Sequence, residues 1–186
     1  MHGTWLGERD GLLLAAKYGE PAVWSNPNDI AIRFLARRYS EYEKSAINFS
    51  KVVVPNSFAT MQDLVSRYGA PDDWDCQVIH WGVDTGMFVP PHRDSEDVVH
   101  RHDEIRSRFS IPQDSLFILA VGRLAARKGN GFLLRSFAKL VESTDANLLI
   151  IGRGGLRRKL IRMAYRLGIG DRVSIESSMN FQEVSE

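Results

Sequence analysis

Leu116-Phe117-Ile118-Leu119-Ala120-Val121 is a run of six apolar residues with no polar break, and Gly122 ends it. A run of this length, closed by glycine and followed by a helical pattern, reads as a β-strand. Because polar residues do not alternate with the apolar ones, the strand is expected to be buried on both faces, as in a helix-covered parallel sheet. Ligands of open parallel sheets bind just beyond the carboxyl ends of the strands. Arg123 and Lys128 follow this strand directly, with Gly129 behind them. Two fixed cations therefore stand where such a sheet places its chemistry.

The sequence beyond this run alternates regularly. A helix is expected over about 131–142, with Leu133, Leu134, Phe137, Leu140 and Val141 on one side. A strand over 147–151 leads into Gly152-Arg153-Gly154-Gly155. The next helix carries Leu156, Leu160, Met163 and Leu167 on one stripe and Arg157, Arg158, Lys159, Arg162 and Arg166 outside it. Gly168 closes that helix, Arg172–Ile175 reads as a third strand, and residues 181–186 look like the opening of another helix.

The earlier half repeats the theme. Lys51–Val54 is β-branched, Ser57 is placed to cap a helix over 58–68, Gly69 to stop it, and Cys76–His80 reads as the next strand. Before these, Leu12–Ala16 suggests a short helix and Pro21–Trp24 a brief strand. A long helix from Asp29 would place Ile32, Leu35, Tyr39, Tyr42, Ala46 and Phe49 on an apolar stripe. Residues 92–107, rich in histidine and charge, read as a solvated linker or an exposed helix, and form the best domain boundary.

Composition narrows the function classes. With 186 residues the chain is long enough for a core covering roughly 70% of its unfolded surface. A net charge of +1 gives no argument for a nucleic-acid partner. Cys76 is the single cysteine, so no internal disulfide can form, and a reducing compartment fits. No apolar run approaches the roughly 18 residues of a membrane span. Met1–Trp5 has neither basic leader nor apolar core, so no signal peptide is expected. A cytoplasmic location, with peripheral contact at the inner membrane surface allowed, is the expectation.

The order of motifs resembles the family 4 glycosyltransferases (glycosyl transferases group 1). In the second half the resemblance rests on Gly122-Arg123-Leu124, Lys128-Gly129, Leu149-Ile150-Ile151-Gly152-Arg153-Gly154 and Leu167-Gly168-Ile169-Gly170-Asp171-Arg172-Val173. In the first half it rests on Val54-Pro55-Asn56-Ser57, Ile79-His80-Trp81-Gly82-Val83-Asp84, Phe88-Val89-Pro90 and the pair His2-Gly3. The family usually has Asn at the position of His80, and a glycine where Glu176-Ser177-Ser178 stands here. The resemblance implies an α/β fold of two partial Rossmann-like halves with parallel strands, GT-B-like but incomplete. Residues 1–91 would be the C-terminal part of the first, acceptor-side domain. Residues 92–110 would be a linker, and 111–186 the first half of the nucleotide-sugar donor domain. The paired glutamates of the family (E-x7-E) match no residue here, so a truncated form, inactive or nearly so by itself, is expected.

The resemblance implies retaining transfer of a sugar from a UDP- or GDP-sugar to the hydroxyl of a saccharide or lipid-linked acceptor, with no cofactor and no metal. Arg123, Lys128 and Gly122 would hold the donor diphosphate. A planar guanidinium fork and a mobile ammonium both suit the charge that grows on the leaving oxygens. Gly152 and Gly154 open a helix after a strand, where free amides favour an anion, although glycines also serve simply to make tight turns. His2 matches the family histidine that acts near the transferred sugar.

Rival readings attach to particular residues. Glu176 follows a second strand, roughly 20 residues beyond the glycine loop, where dinucleotide-binding proteins place a ribose-binding acid. An NAD-dependent oxidoreductase is thus an alternative, although Arg157 occupies the third position of the glycine fingerprint. A non-catalytic nucleotide-binding remnant is another. Asp73-Trp74-Asp75 formally matches a metal-holding D-x-D, and His92, His100 and His102 with Asp103 and Glu104 suggest ligands, but both stretches read more simply as solvated segments. The arginine face of 157–166 suits anionic lipid or the donor, or merely the outside of a core helix.

Overall fold

The computed structural model describes residues 4–20, 27–69, 74–86, 88 and 96–176. The chain forms two compact units. One comprises Met1–Tyr18 with Ala22–Val83, the other Gly19–Pro21 with Asp84–Glu186. The expected strand at Pro21–Trp24 and the helix opening at 181–186 lie outside the described residues.

The first unit contains α1 (Trp5–Lys17), α2 (Pro27–Phe49), β1 (Val52–Val53), α3 (Phe58–Tyr68) and β2 (Asp75–Cys76). Its helix ends follow local chemistry. Thr4 Oγ1 accepts the Gly7 N–H at the start of α1, and Ser57 Oγ accepts the Thr60 N–H at the start of α3. At the end of α3, Gly69 adopts φ +77°, a conformation that favours glycine. β1 and β2 pair in parallel, Val52 opposite Asp75 and Val53 opposite Cys76. The bonds from Gln77 N–H to the Val53 carbonyl and from Ile79 N–H to the Pro55 carbonyl prolong this ladder. Ile47, Val53 and Leu64 form a small core, with Tyr68 and Trp74 against it.

In α2 the structure departs from the sequence reading. Leu35, Tyr39, Tyr42 and Phe49 are exposed, while Asp29, Ala36, Ser40 and Ile47 are buried. Helix α2 packs on α1, and apart from Ile47 the residues it buries are small or polar. Trp5 stacks on Tyr39, with ring centroids 4.6 Å apart.

The second unit contains α4 (Glu96–Arg108), β3 (Leu116–Val121), α5 (Asn130–Leu140), β4 (Ala146–Ile151), α6 (Arg157–Arg166) and β5 (Val173–Glu176). Single 3-10 turns occupy Ala126–Lys128 and Gly170–Arg172. The three strands are parallel in the order β3-β4-β5, with Leu116 opposite Ala146 and Leu148 opposite Val173. Helices α5 and α6 connect successive strands and pack on each other.

The span of β3 coincides with the apolar run, but its burial corrects the expectation. Leu116, Leu119 and Val121 are exposed, whereas Leu148, Leu149, Ile150 and Ile151 of β4 are buried. The cause is topological: among the described residues β4 has a neighbour on each side, and β3 has one. Within residues 92–107, described from Glu96 onward, α4 carries Arg106. Its guanidinium bonds to the carbonyl oxygens of Pro112 and Ser115 and lies 5.8 Å from the Phe117 ring. This buried cation clasps α4 to the entrance of β3.

Candidate phosphate-binding loops

At the carboxyl ends of β3, β4 and β5 the backbone continues to pair after the side-chain ladder has ended. Gly122 N–H donates to the Ile151 carbonyl at 2.9 Å, and Gly152 N–H to the Glu176 carbonyl at 2.8 Å. Beyond them Leu124 N–H donates to the Arg153 carbonyl at 2.9 Å. The two glycine loops thus lie side by side as one stitched surface.

Glycine is required at both β4-loop positions. A Cβ on Gly152 would stand 1.8 Å from the Gly122 carbonyl oxygen, and one on Gly154 would stand 2.3 Å from that of Leu124. Nothing lies within 4 Å of the corresponding position on Gly122 or Gly155. The structure thus gives Gly152 and Gly154 a packing reason: they let one loop approach the other.

Arg123 and Lys128 both rise from this surface and are exposed. Neither side chain has a hydrogen-bond or ion-pair partner among the described residues. Their backbone is held nonetheless. Asn130 Nδ2 donates to the Arg123 carbonyl at 3.3 Å, and Lys128 N–H closes the 3-10 turn onto Ala125 at 3.0 Å. Gly129 then turns the chain into α5 with φ +69°. Two cations on fixed backbone, with no carboxylate to neutralise them, suit a dianionic group.

Glu20 was not legible from sequence. Its carboxylate is buried and accepts the Gly131 N–H at 3.0 Å and the Phe132 N–H at 2.5 Å. Arg135, one turn along α5, lies 3.6 Å from the same carboxylate. Glu20 therefore supplies the negative charge that a helix N-terminus favours. A separation of 111 residues left no local signal for it.

The remaining candidates are scattered. His2 and His92 lie outside the described residues, as does Asp73 of the acidic triplet. Asp75 opens β2 and is bonded by Gln77 Nε2. His102 packs edge-on to Phe117 at the opposite end of β3 from the loops. Among the described residues no three His, Cys, Asp or Glu side chains gather as a metal site would require. Glu176 reaches the loop region through its backbone carbonyl. Arg157, at the third fingerprint position, donates to the Ile175 carbonyl at 2.9 Å.

Residues 101–186 match the model of the glycosyl transferases group 1. Over these residues the chain is similar to that family. It is 29% identical over 184 residues to the D-inositol 3-phosphate glycosyltransferase of Mycolicibacterium smegmatis, covering 91% of this chain and 39% of that protein. The protein of that name from Xylanimonas cellulosilytica is 26% identical, over 98% of this chain and 45% of its own length. The chain thus spans less than half the length of these curated relatives.

Solved glycosyltransferases share the fold. A Rickettsia africae glycosyltransferase superimposes with a TM-score of 0.60 at 18% identity, covering 96% of this chain and 53% of the other. The Anabaena HepE structure, which holds UDP and glucose, gives 0.61 at 18% identity over 80% of this chain and 40% of its own. The α/β class with parallel strands, expected for a GT-B-like chain, is what the structure shows, in two small sheets. Among the described residues no helix is long and apolar enough to cross a membrane.

Proposed function

We propose that the second unit binds the diphosphate of a nucleotide-sugar, UDP- or GDP-linked, for transfer of the sugar to an acceptor hydroxyl with retention of configuration. The observation that carries this reading is the pair Arg123 and Lys128, exposed and without a side-chain partner among the described residues, on a loop whose backbone is fixed. As the glycosidic bond breaks, negative charge accumulates on the departing diphosphate. Cations already in place stabilise it without reorganisation. A charge-assisted hydrogen bond of this kind is worth roughly 1.5–3 kcal/mol. In this scheme Gly152 and Gly154 shape the loop bed rather than touch the ligand, and no metal or other cofactor takes part. The acceptor is read as a saccharide or a lipid-linked hydroxyl, reached on the cytoplasmic side of the membrane surface.

The matched family model and the names of the relatives support the reading. Calorimetric titration of UDP and GDP into the chain tests it. Binding is expected, and Arg123→Ala should weaken it roughly tenfold, the equivalent of one lost contact of about 1.4 kcal/mol. Unchanged affinity in Arg123→Ala and Lys128→Ala would remove the assignment. NAD binding tighter than UDP binding would favour a dehydrogenase instead.

A further inference from the structure

Helix α5 begins without a cap of its own. Gly129 at its N-cap position has no side chain to offer, and its first turn contains no acidic residue. The free amides of a helix start need acceptors, and a buried one left without an acceptor is costly. Asn130 and Gly131, which open α5, are both buried. Glu20 meets the need from outside the helix. Its Oε2 accepts the Gly131 N–H and its Oε1 the Phe132 N–H, so each oxygen takes one amide.

The segment that carries Glu20 is itself held. Gly19–Pro21 belongs to the second unit. Arg135 donates to the Gly19 carbonyl at 3.3 Å and lies 3.6 Å from the Glu20 carboxylate. The same guanidinium stands 4.6 Å from the centre of the Phe132 ring. The Glu20 side chain is 0% exposed.

What this helix start supports is the loop of the two cations. Lys128 joins α5 through Gly129, whose carbonyl accepts the Leu133 N–H at 3.0 Å. Asn130, the first residue of α5, donates from Nδ2 to the Arg123 carbonyl at 3.3 Å. Both cations thus take their backbone position from the turn whose amides Glu20 binds.

We propose that Glu20 is a positioning residue for the diphosphate site. Its carboxylate locks the first turn of α5 and, through Gly129 and Asn130, sets how Lys128 and Arg123 are presented. The proposal rests on the diphosphate reading of that loop. Glu20 acts without touching the ligand, because both its oxygens are committed to backbone amides. Its removal would leave the buried Gly131 N–H without this acceptor. A first turn that then shifts carries Lys128 with it, and small misplacements of a binding group are expensive.

Calorimetric titration of UDP into the full chain, with amide hydrogen exchange on the nucleotide-free chain, tests it. Glu20→Ala should weaken UDP binding about tenfold, and Glu20→Gln, which keeps the shape and one acceptor oxygen, about threefold. The loss should run through Lys128, so adding Glu20→Ala to Lys128→Ala should weaken binding less than about twofold further. Without nucleotide, the Lys128 and Leu133 amides should exchange roughly tenfold faster in Glu20→Ala, while that of Leu149 in β4 keeps its rate. Should the alanine variant fail to fold, Glu20→Gln carries the same comparisons. If Arg123→Ala weakens UDP binding and the Glu20 variants do not, the positioning role is overturned and the diphosphate reading stands. A fully additive loss in the Lys128→Ala background, or unchanged exchange at Lys128 and Leu133, would also overturn it. A wild type that binds neither UDP nor GDP removes the diphosphate reading, and this proposal with it.

Discussion

In the second unit, what joins the loops at the carboxyl ends of the strands is backbone: Gly122 to Ile151, Gly152 to Glu176 and Leu124 to Arg153. In the first unit, side chains make the corresponding ties. Thr4 Oγ1 donates to Asp63 at 2.5 Å, Asp63 accepts Arg67 Nε at 2.6 Å, and Arg67 reaches Asp10 at 3.0 Å. Glu43 accepts both the Trp5 N–H at 2.9 Å and the Tyr68 hydroxyl at 2.6 Å. The difference follows from sheet size. A two-residue pair such as β1–β2 offers few ladder bonds, so its neighbours must be secured by charge and hydroxyl. A backbone-tied unit tolerates changes of polar side chain but fails when a Cβ intrudes. A unit tied by titratable groups answers to pH.

Substitutions can break this contrast, and the largest effect belongs to Gly152→Ala. The new methyl would meet a backbone carbonyl that has nowhere to go, and a loss of about 3 kcal/mol or more is expected in urea unfolding. A wild-type midpoint would show that the loops are not stitched as described. Next comes Leu148→Ala in the centre of β4, where burial predicts a loss of about 2–5 kcal/mol. The same truncation at Leu119, more than half exposed, should fall within about 0.5 kcal/mol. Equal losses at the two leucines would contradict the difference in burial between β4 and β3.

In the first unit, Asp63→Asn should cost about 1 kcal/mol, because its partners are partly solvated and screened. The smallest effect concerns pH. Burial first, and then the bond to Glu43, raise the Tyr68 hydroxyl above its ordinary value. Its protonated form therefore stabilises the fold fully below about pH 10, and the contribution fades as pH rises through the raised value. Urea midpoints measured from neutral to alkaline pH should fall more steeply above about pH 10 for the wild type than for Tyr68→Phe. Parallel curves would remove Tyr68 from the network. Asp10 works in the opposite sense. Burial tends to raise it, but the bonds from Arg9 and Arg67 hold it below the usual carboxylate range, so its contribution is present at neutral pH and lost in acid.

Local signals were the readable ones. Ser57 and Gly69 bracket α3 because a cap bonds within its own turn. The limits of β3 were visible because an apolar run ended by glycine is a continuous stretch of chain. Neighbours distant in sequence were not readable. Nothing in Leu116–Val121 states that Leu116, Leu119 and Val121 are exposed, and nothing near Glu20 points to the α5 amides. The stripe on α2 misled for the same reason: helical spacing shows that a face is apolar, not that it is the face that packs. The clash positions of Gly152 and Gly154 likewise needed the opposite loop to be seen.

The stitched loops also bear on how the unit meets a ligand. The amides of Gly122, Leu124 and Gly152 are bonded as sheet amides are, so they should exchange hydrogen with solvent on the slow timescale of the strands, although they belong to loops. A bed already held in shape pays no ordering entropy when an anion arrives. On the proposed diphosphate reading, capture would then be governed by diffusion and long-range attraction to Arg123 and Lys128, with an association rate that drops as added salt shortens the reach of their field.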